Sequence, residues 1–290
     1  MKVLLFGAKG QVGLECAAQF IATGFELIAL TRDQVDLTQA ETVANAIVAR
    51  RPDLVVNAAA YTAVDKAESE PELADQINHL AVAAMAEACA LVNAPLFHLS
   101  TDYVFDGTKT AAYVETDAVN PQGVYGASKL AGEQAVARLL PQHMILRTAW
   151  VFGRQGNNFV HTMLRLGKER DTLGVVADQR GGPTYAGDIA AALVALAKRL
   201  KEAGDLPWGL YHYSGAPACS WHEFASTIFA EAVAAGRLAR APQVNAIGTA
   251  DYPTPAQRPA SSVLDSTRLV EGGWGVAACD WRLRLRQMLA

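Results

Sequence analysis

The sequence is poor in cysteine, and its cysteines are not grouped. Cys16, Cys89, Cys219 and Cys279 are the four in 290 residues, and no two of them form a Cys-x-x-Cys pair. Scattered cysteines in apolar surroundings favour buried, reduced thiols over a disulfide framework. We therefore expect a protein of the reducing cytoplasm.

Long apolar runs and an excess of basic charge are also lacking. No stretch approaches the roughly 18 apolar residues of a membrane span. The apolar run in MKVLLFGAKG ends at a glycine, and we expect no signal peptide there. The net charge is -4, so no basic field is available to hold a nucleic-acid backbone. We expect neither a membrane nor a nucleic acid as partner.

The first half of the chain alternates strand-like and helix-like segments. Short apolar runs indicate strands over residues 3–7, 25–30, 53–60, 95–100 and 143–152. Helical patterns lie between them, including residues 12–22 and 73–91, and Thr38 with Glu41 predicts a capped helix start. Such alternation predicts an α/β fold with a doubly wound parallel sheet, covered by helices on both faces.

The second half is richer in turns. Helices are predicted over residues 186–200 and 220–235, the second opening with a capping box of Ser220 and Glu223. A strand is predicted between them over residues 209–215. We expect residues 1–150 to form a dinucleotide-binding lobe to which residues 186–216 return, and residues 151–290 to form a smaller, loop-rich substrate lobe.

Three glycines follow the first predicted strand and precede the first predicted helix. Gly7, Gly10 and Gly13 have the spacing G-x-x-G-x-x-G. In such a loop the glycines permit a tight turn, the approach of a pyrophosphate to the backbone, and close packing of helix on strand. The helix N-terminus adds N–H groups and partial positive charge. The loop therefore predicts a dinucleotide site, with a ligand-free glycine turn as the alternative.

The end of the second strand bears on which dinucleotide is bound. Thr31 and Arg32 stand where an acidic residue would select NAD, and a hydroxyl with a guanidinium suits a 2′-phosphate. The nearby Asp33 keeps NADH open as an alternative to NADPH. Asp36 and Leu37 fit the adenine side, with a carboxylate for the amino group and an apolar wall.

A tyrosine and a lysine four residues apart suggest acid–base chemistry. Tyr125 and Lys129 would share one face of a helix. Ser100 and Thr101 end the fourth strand, whose carboxyl end faces the same crevice in a doubly wound sheet. A lysine charge favours the phenolate, and a hydroxyl can bond the reacting oxygen. These groups could move a proton while a hydride moves on the adjacent carbon.

Together these segments resemble the extended short-chain dehydrogenases/reductases. The resemblance narrows to the dTDP-4-dehydrorhamnose reductase family and runs nearly end to end. It is carried by GAKGQVG, NAAAYTAVDKAESEPE, STDYVFDGT, VYGASKLAGE, RTAWVFG, GNNF, TMLRL and YPTPAQRPASS. It implies a Rossmann-type lobe beside a small nucleotide-sugar lobe. The implied reaction is the reduction of the C4 ketone of dTDP-4-dehydro-L-rhamnose to dTDP-L-rhamnose by NADPH or NADH.

The resemblance also implies residue roles. Tyr125 would donate the proton, Lys129 would tune it and hold the nicotinamide ribose, and Thr101 would assist at the oxygen. The sugar nucleotide would meet Thr101, Asp102 and Trp150. The cofactor would meet Gly7, Gly10, Gln11, Val12, Thr31, Arg32, Asp36, Leu37, Ala60, Tyr61, Thr62, Leu99, Tyr125 and Lys129.

One departure from the family concerns magnesium. Some members dimerise around magnesium held by glutamates, and Glu15 matches one of them. Gly187, with Asp188 after it, and the closing Ala290 stand near the other two positions. We therefore expect no metal bridge, a monomer or weak homodimer, and Glu15 as a first-turn acid favouring the helix dipole.

Arg258 is a candidate from the residues themselves. It stands in a turn between Pro255 and Pro259, in a lobe that must receive the substrate pyrophosphate. A stiffened turn would hold its guanidinium at low entropic cost. The alternative is an arginine that fastens the loop to the body of the protein.

Two other functions stay open on this fold. One is a nucleotide-sugar epimerase or dehydratase that keeps NAD bound, and Asp102 beside Thr101 is compatible with it. The other is a non-catalytic NADP-binding regulatory subunit, which would not need Tyr125 and Lys129.

Overall fold

The computed structural model describes all residues 1–290, and its first half alternates strands and helices. In chain order these are β1 Lys2–Phe6, α1 Gln11–Ala22, β2 Glu26–Leu30, α2 Ala40–Arg50, β3 Leu54–Asn57, α3 Val64–Ala67, α4 Pro71–Asp75, a π-helical turn Gln76–Leu80, α5 Ala81–Val92, β4 Leu96–Thr101, α6 Val124–Leu139 and β5 His143–Thr148.

The second half mixes short strands with five more helices. In chain order these are β6 Val151–Phe152, α7 Phe159–Glu169, β7 Thr172–Val176, β8 Arg180–Gly181, β9 Thr184–Tyr185, α8 Ala186–Ala203, β10 Gly209–His212, β11 Gly215–Ala216, β12 Cys219–Ser220, α9 Trp221–Ala234, β13 Gln243–Ile247, α10 Thr267–Val270, β14 Cys279–Asp280 and α11 Trp281–Leu289.

The central sheet has six parallel strands in the order β10-β5-β4-β3-β1-β2. The chain passes from β1 to β2 on one side and then crosses back past β1 to β3, so the direction reverses after β2; helices therefore cover both faces, and the predicted fold class is confirmed. Residues 3–5 and 54–56 are fully buried, which explains why these strands read as continuous apolar runs.

Apolar cores lie on both faces of the sheet and beside it. A cluster of 25 buried residues joins one face to α1 and α8, and one of 19 joins the other face to α2 and α5. A third cluster, of 16 residues, lies away from the sheet among α7, α9, α11 and β7. No helix is both long and apolar enough to span a membrane.

The two predicted capping boxes have opposite outcomes. At α9 the Ser220 hydroxyl accepts from the Glu223 N–H at 3.1 Å, and Glu223 accepts from the Ser220 N–H at 2.6 Å. The box predicted at Thr38 is wrong, because α2 starts at Ala40 without a capping side chain. There Asp36 accepts from the Thr38 N–H at 2.9 Å and closes a turn that delays the helix.

Candidate active site

A cleft of about 600 Å³ opens beside the carboxyl ends of the central strands. All fourteen residues predicted for the cofactor line it, although they come from five separate stretches of sequence. They are Gly7, Gly10, Gln11, Val12, Thr31, Arg32, Asp36, Leu37, Ala60, Tyr61, Thr62, Leu99, Tyr125 and Lys129. The structure thus brings the glycine loop and the tyrosine–lysine pair into one cavity.

The glycine loop has the geometry of a phosphate cradle. Gly7 lies in the left-handed region at φ +82°, and a Cβ on Gly13 would lie 2.0 Å from the Gly7 carbonyl oxygen. Helix α1 therefore packs directly on the turn that ends β1. No side chain caps this helix, and Gln11 and Val12 line the cleft at its N-terminus. Their N–H groups are suited to an anion.

At the far end of the cleft the charges favour an additional phosphate. Arg32 lines the wall, and Lys9 donates to the Asp33 carboxylate at 2.5 Å. The hydrogen bond and charge of Lys9 lower the pKa of Asp33. Asp33, the carboxylate that could bind the free ribose hydroxyls of NAD, is therefore already paired with Lys9.

Tyr125 lies in the first turn of α6, where it faces the cleft and the end of β4. Burial raises the pKa of its phenol to about 12, and a hydrogen bond with the Thr101 side chain acts in the opposite direction. The phenol is therefore in its protonated, donating form at neutral pH. The ring of Tyr103 packs edge-on against it at 5.4 Å between centroids.

Lys129 follows one helical turn later and is 2% exposed. Its Nζ donates to the Leu99 carbonyl at 2.7 Å. Burial lowers the pKa of Lys129 to about 8, against the charge of Glu133, which raises it. Glu133 in turn accepts two hydrogen bonds from Arg147 of β5, at 2.6 and 2.9 Å. This buried pair fastens α6 to the sheet.

Asn78 supports the wall of the cleft, and the sequence did not reveal it. The predicted helix over residues 73–91 is interrupted by the π-helical turn that carries it. Its amide accepts from the Tyr61 N–H at 2.9 Å and donates to the Tyr61 carbonyl and to the Ser128 hydroxyl, both at 3.0 Å. Asn78 thus ties residues 58–63, the cofactor-side loop between β3 and α3, to α6. The alanine-rich sequence reads as one regular helix and gives no signal of this turn.

Thr101, Asp102 and Trp150 lie outside the wall of the cleft. Asp102 is 2% exposed and accepts from the Thr101 hydroxyl at 3.0 Å, and burial raises its pKa to about 6. Trp150 has φ +46° and stacks on Trp221, with centroids 3.4 Å apart and planes inclined by 8°.

Arg258 is engaged in an ion pair across the molecule. Its guanidinium donates twice to the Asp65 carboxylate, each time at 2.8 Å, and once to the Ala256 carbonyl at 3.0 Å. Asp65 belongs to α3, directly after the cofactor-side loop. The closing loop is therefore latched onto the first half of the chain, and the pyrophosphate role of Arg258 stays a prediction.

Comparison with known proteins decides the family. A family model described as the RmlD substrate binding domain matches residues 1–290. The chain belongs to the RmlD substrate binding domain family. A family relative named dTDP-4-dehydrorhamnose reductase, from Aggregatibacter actinomycetemcomitans, is 47% identical over 290 residues, which are 100% of this chain and 98% of that protein.

Solved structures agree with this membership of the RmlD family. A dTDP-4-dehydrorhamnose reductase from Clostridium acetobutylicum has a TM-score of 0.91 at 38% identity, covering 100% of this chain and 98% of that one. The enzyme of that name from Bacillus anthracis, solved in complex with NADP, has a TM-score of 0.90 at 36% identity, covering 99% and 98%. The family predicted from the sequence is confirmed.

The structure shows the surroundings of Glu15 and Asp188, the two acidic residues considered for magnesium. Glu15 is the fifth residue of α1, so its predicted first-turn role is wrong, because the helix starts at Gln11. The side chain lies next to Gly187. Asp188 pairs with Arg284 at 2.8 Å. No group of three or more His, Cys, Asp or Glu side chains is arranged to hold a metal.

Proposed function

We propose that this chain reduces the C4 ketone of dTDP-4-dehydro-L-rhamnose to dTDP-L-rhamnose with NADPH. Membership of the RmlD family supports the substrate, since relatives at 43% to 47% identity are named dTDP-4-dehydrorhamnose reductase. The single observation that carries the chemistry is the placement of Tyr125, with Lys129 one helical turn away, in the cleft that also contains the glycine loop.

The cleft fits NADPH. Gln11 and Val12 would hold the pyrophosphate by their backbone N–H groups. Arg32 and Thr31 would meet the 2′-phosphate, and Asp36 and Leu37 the adenine. When bound, the nicotinamide supplies the hydride. The relative from Bacillus anthracis is solved with NADP, which supports this choice over NADH.

Tyr125 supplies the proton in this proposal. As a hydride reaches C4, the carbonyl π electrons move to oxygen, which takes the phenolic proton and becomes the product hydroxyl. The Thr101 hydroxyl, which donates to Asp102 in the unliganded protein, would turn its O–H to that oxygen and orient it. Lys129 carries a positive charge one turn away, which stabilises the phenolate that is left.

The sugar nucleotide is expected to contact Thr101, Asp102 and Trp150. Asp102 has one carboxylate oxygen, Oδ2, that is buried and has no hydrogen-bond partner. Buried polar atoms without a partner are uncommon, and in this proposal a sugar hydroxyl of the bound substrate donates to this oxygen. In this proposal the Arg258 guanidinium binds the substrate pyrophosphate, because a guanidinium can donate two parallel hydrogen bonds to phosphate oxygens.

The experiment is NADPH oxidation by the purified protein with a panel of 4-keto sugar nucleotides. We expect turnover with dTDP-4-dehydro-L-rhamnose and formation of dTDP-L-rhamnose, identified by mass and by NMR. If NAD instead co-purifies and the hydride returns to the substrate, the protein is an epimerase or dehydratase. NADPH binding without turnover of any ketone would indicate a regulatory subunit.

A further inference from the structure

Two buried polar side chains lie behind Lys129 and take no part in the chemistry above. Asn57 ends β3, and His98 is its direct partner in the register of β3 with β4. Both are 0% exposed. Burying an amide and an imidazole inside a parallel sheet is costly unless each polar atom has a defined partner.

The hydrogen bonds fix the orientation of both groups. The Asn57 Oδ1 accepts from the Ala59 N–H at 3.0 Å, so its Nδ2 is the atom that faces His98. That Nδ2 lies 3.0 Å from the imidazole Nδ1 and can only donate to it. Burial lowers the pKa of His98 well below its usual range, so the ring is neutral. Because Nδ1 accepts, the ring proton must be on Nε2.

That ring N–H points at the lysine. His98 Nε2 lies 3.4 Å from Lys129 Nζ. An ammonium has three N–H donors and no acceptor. If Lys129 is an ammonium, its N–H groups and the His98 N–H are both donors, and neither can accept from the other. A neutral amine has a lone pair that can accept the same N–H. The contact is therefore better satisfied when Lys129 has lost its proton.

The other charged groups near Lys129 come from α6 and β5. Glu133, on its own helix, favours the ammonium, but its carboxylate already receives both Arg147 hydrogen bonds. Tyr125 precedes Lys129 by one turn and is neutral as a phenol. His143 of β5 acts on His98 and lowers its pKa further. Of these groups, only the His98 N–H is placed to donate directly to a lone pair on Lys129 Nζ.

We propose that His98, oriented by Asn57, is a positioning residue that holds an N–H against Lys129 Nζ and stabilises the neutral amine. The inference rests on the proposed function. After Tyr125 gives its proton to the ketone oxygen, the Lys129 ammonium passes a proton to the phenolate and is left as an amine. The His98 Nε2–H donates to the amine lone pair. A water molecule entering the open cleft then protonates Nζ and leaves as hydroxide, which the solvent buffer neutralises.

The first test reads the His98 tautomer in the unliganded wild-type protein. Spectra of ¹⁵N-histidine protein distinguish a ring nitrogen that carries a proton from one that does not, and His98→Leu identifies the signals. We expect an unprotonated Nδ1 and a protonated Nε2 from pH 6 to 8, below and above the usual histidine pKa of about 6.5. A proton on Nδ1 in that range would overturn the proposal, and this test needs no variant to be active.

The second test reverses the tautomer with Asn57→Asp. An ionised carboxylate can only accept, so the ring proton moves to Nδ1 and Nε2 turns its lone pair to the ammonium. We expect the pKa of Lys129 to rise by about one unit. The pKa is read from the ¹³Cε signal of labelled lysine, assigned with Lys129→Met. Asn245→Asp, on the exposed strand β13, adds the same charge and should leave that signal unmoved.

Turnover gives an independent readout. Activity that needs the ammonium falls as pH rises through the pKa of Lys129, so the basic limb of kcat/KM should move about one pH unit higher in Asn57→Asp. A reversed tautomer with an unmoved Lys129 signal and limb refutes the proposal. Wild-type protein that reduces no 4-keto sugar nucleotide refutes the proposed function instead, while the two NMR measurements still decide the role of His98.

Discussion

The hydroxyl of Tyr125 is the group on which the proposed proton transfer depends. Tyr125→Phe keeps the ring and its contact with Tyr103 but removes the acid. Loss of acid–base catalysis should lower kcat about 10²- to 10⁴-fold while NADPH still binds. Stopped-flow turnover and NADPH titration measure the two effects. Tyr103→Phe is the matched control and should keep most activity, and a Tyr125→Phe enzyme with wild-type kcat would exclude Tyr125 as donor.

Arg32 decides the cofactor preference at a single side chain. Arg32→Ala removes a guanidinium from the ribose end of the cleft, where Lys9 is already paired with Asp33. The KM for NADPH should rise about tenfold, and the KM for NADH should change little, because only NADPH carries the 2′-phosphate. Arg50→Ala, on α2, serves as the control. Equal effects of Arg32→Ala on both cofactors would show that Arg32 points elsewhere.

Residue patterns predicted residues that line one cleft, but they did not predict the side chains that support them from behind. The glycine spacing, the Tyr-x-x-x-Lys pair and the strand ends each depend on short-range geometry, which is why those residues meet in one cleft. Asn57 and His98 become neighbours only through the register of two strands 41 residues apart in sequence. Asn78 depends on an extra residue in one helical turn. Neither the register nor the turn leaves a periodic trace in a single sequence.

The junction of β1 and α1 offers a test at the scale of the element. Gly13→Ala would place a methyl group 2.0 Å from the Gly7 carbonyl oxygen, so the helix must move away from the strand. Overpacking of this kind costs about 1–3 kcal/mol of unfolding free energy. The shift of the helix should also weaken the binding of NADPH, because the N-terminus of α1 forms the phosphate cradle. Chemical denaturation and NADPH titration measure both.

Gly204→Ala provides the matched control for that substitution. Gly204 caps α8 at φ +75°, with open space around it. Alanine there should cost about 1–2 kcal/mol through backbone strain and leave NADPH affinity unchanged. If Gly13→Ala binds NADPH as tightly as Gly204→Ala does, the glycine loop does not hold the cofactor.

Whole elements of the first half were predictable, whereas several of the second half were not. The buried parallel strands are continuous apolar runs, and each lies next to a strand close in sequence. Helix α7 and the parallel pair of β7 with β13 were missed. Thr172 of β7 pairs with Gln243 of β13, so the two partners lie 71 residues apart in sequence. Short strands with such distant partners carry little local signal.

At the scale of the molecule, the Arg258–Asp65 pair joins the closing loop to the first half of the chain. If the guanidinium also holds the substrate pyrophosphate, Arg258→Ala should weaken the binding of dTDP-rhamnose about 10- to 150-fold. The affinity for NADPH should change little. Separate titrations of the two ligands measure this difference.

Asp65→Asn distinguishes the two roles of Arg258. It breaks the latch but leaves the cation free for the pyrophosphate, so substrate affinity should be kept or increased. If Asp65→Asn weakens dTDP-rhamnose as much as Arg258→Ala does, the arginine acts only by fastening the loop, as the alternative interpretation holds.

The stack of Trp150 on Trp221 gives the molecule an optical property of its own. Two indoles with centroids 3.4 Å apart and nearly parallel planes share their electronic excitation and absorb as a coupled pair. One ring is a predicted contact of the sugar nucleotide, and the other begins α9. A base or sugar that parts the rings would uncouple them. The circular dichroism of the native protein would then report arrival of the substrate directly, without any label.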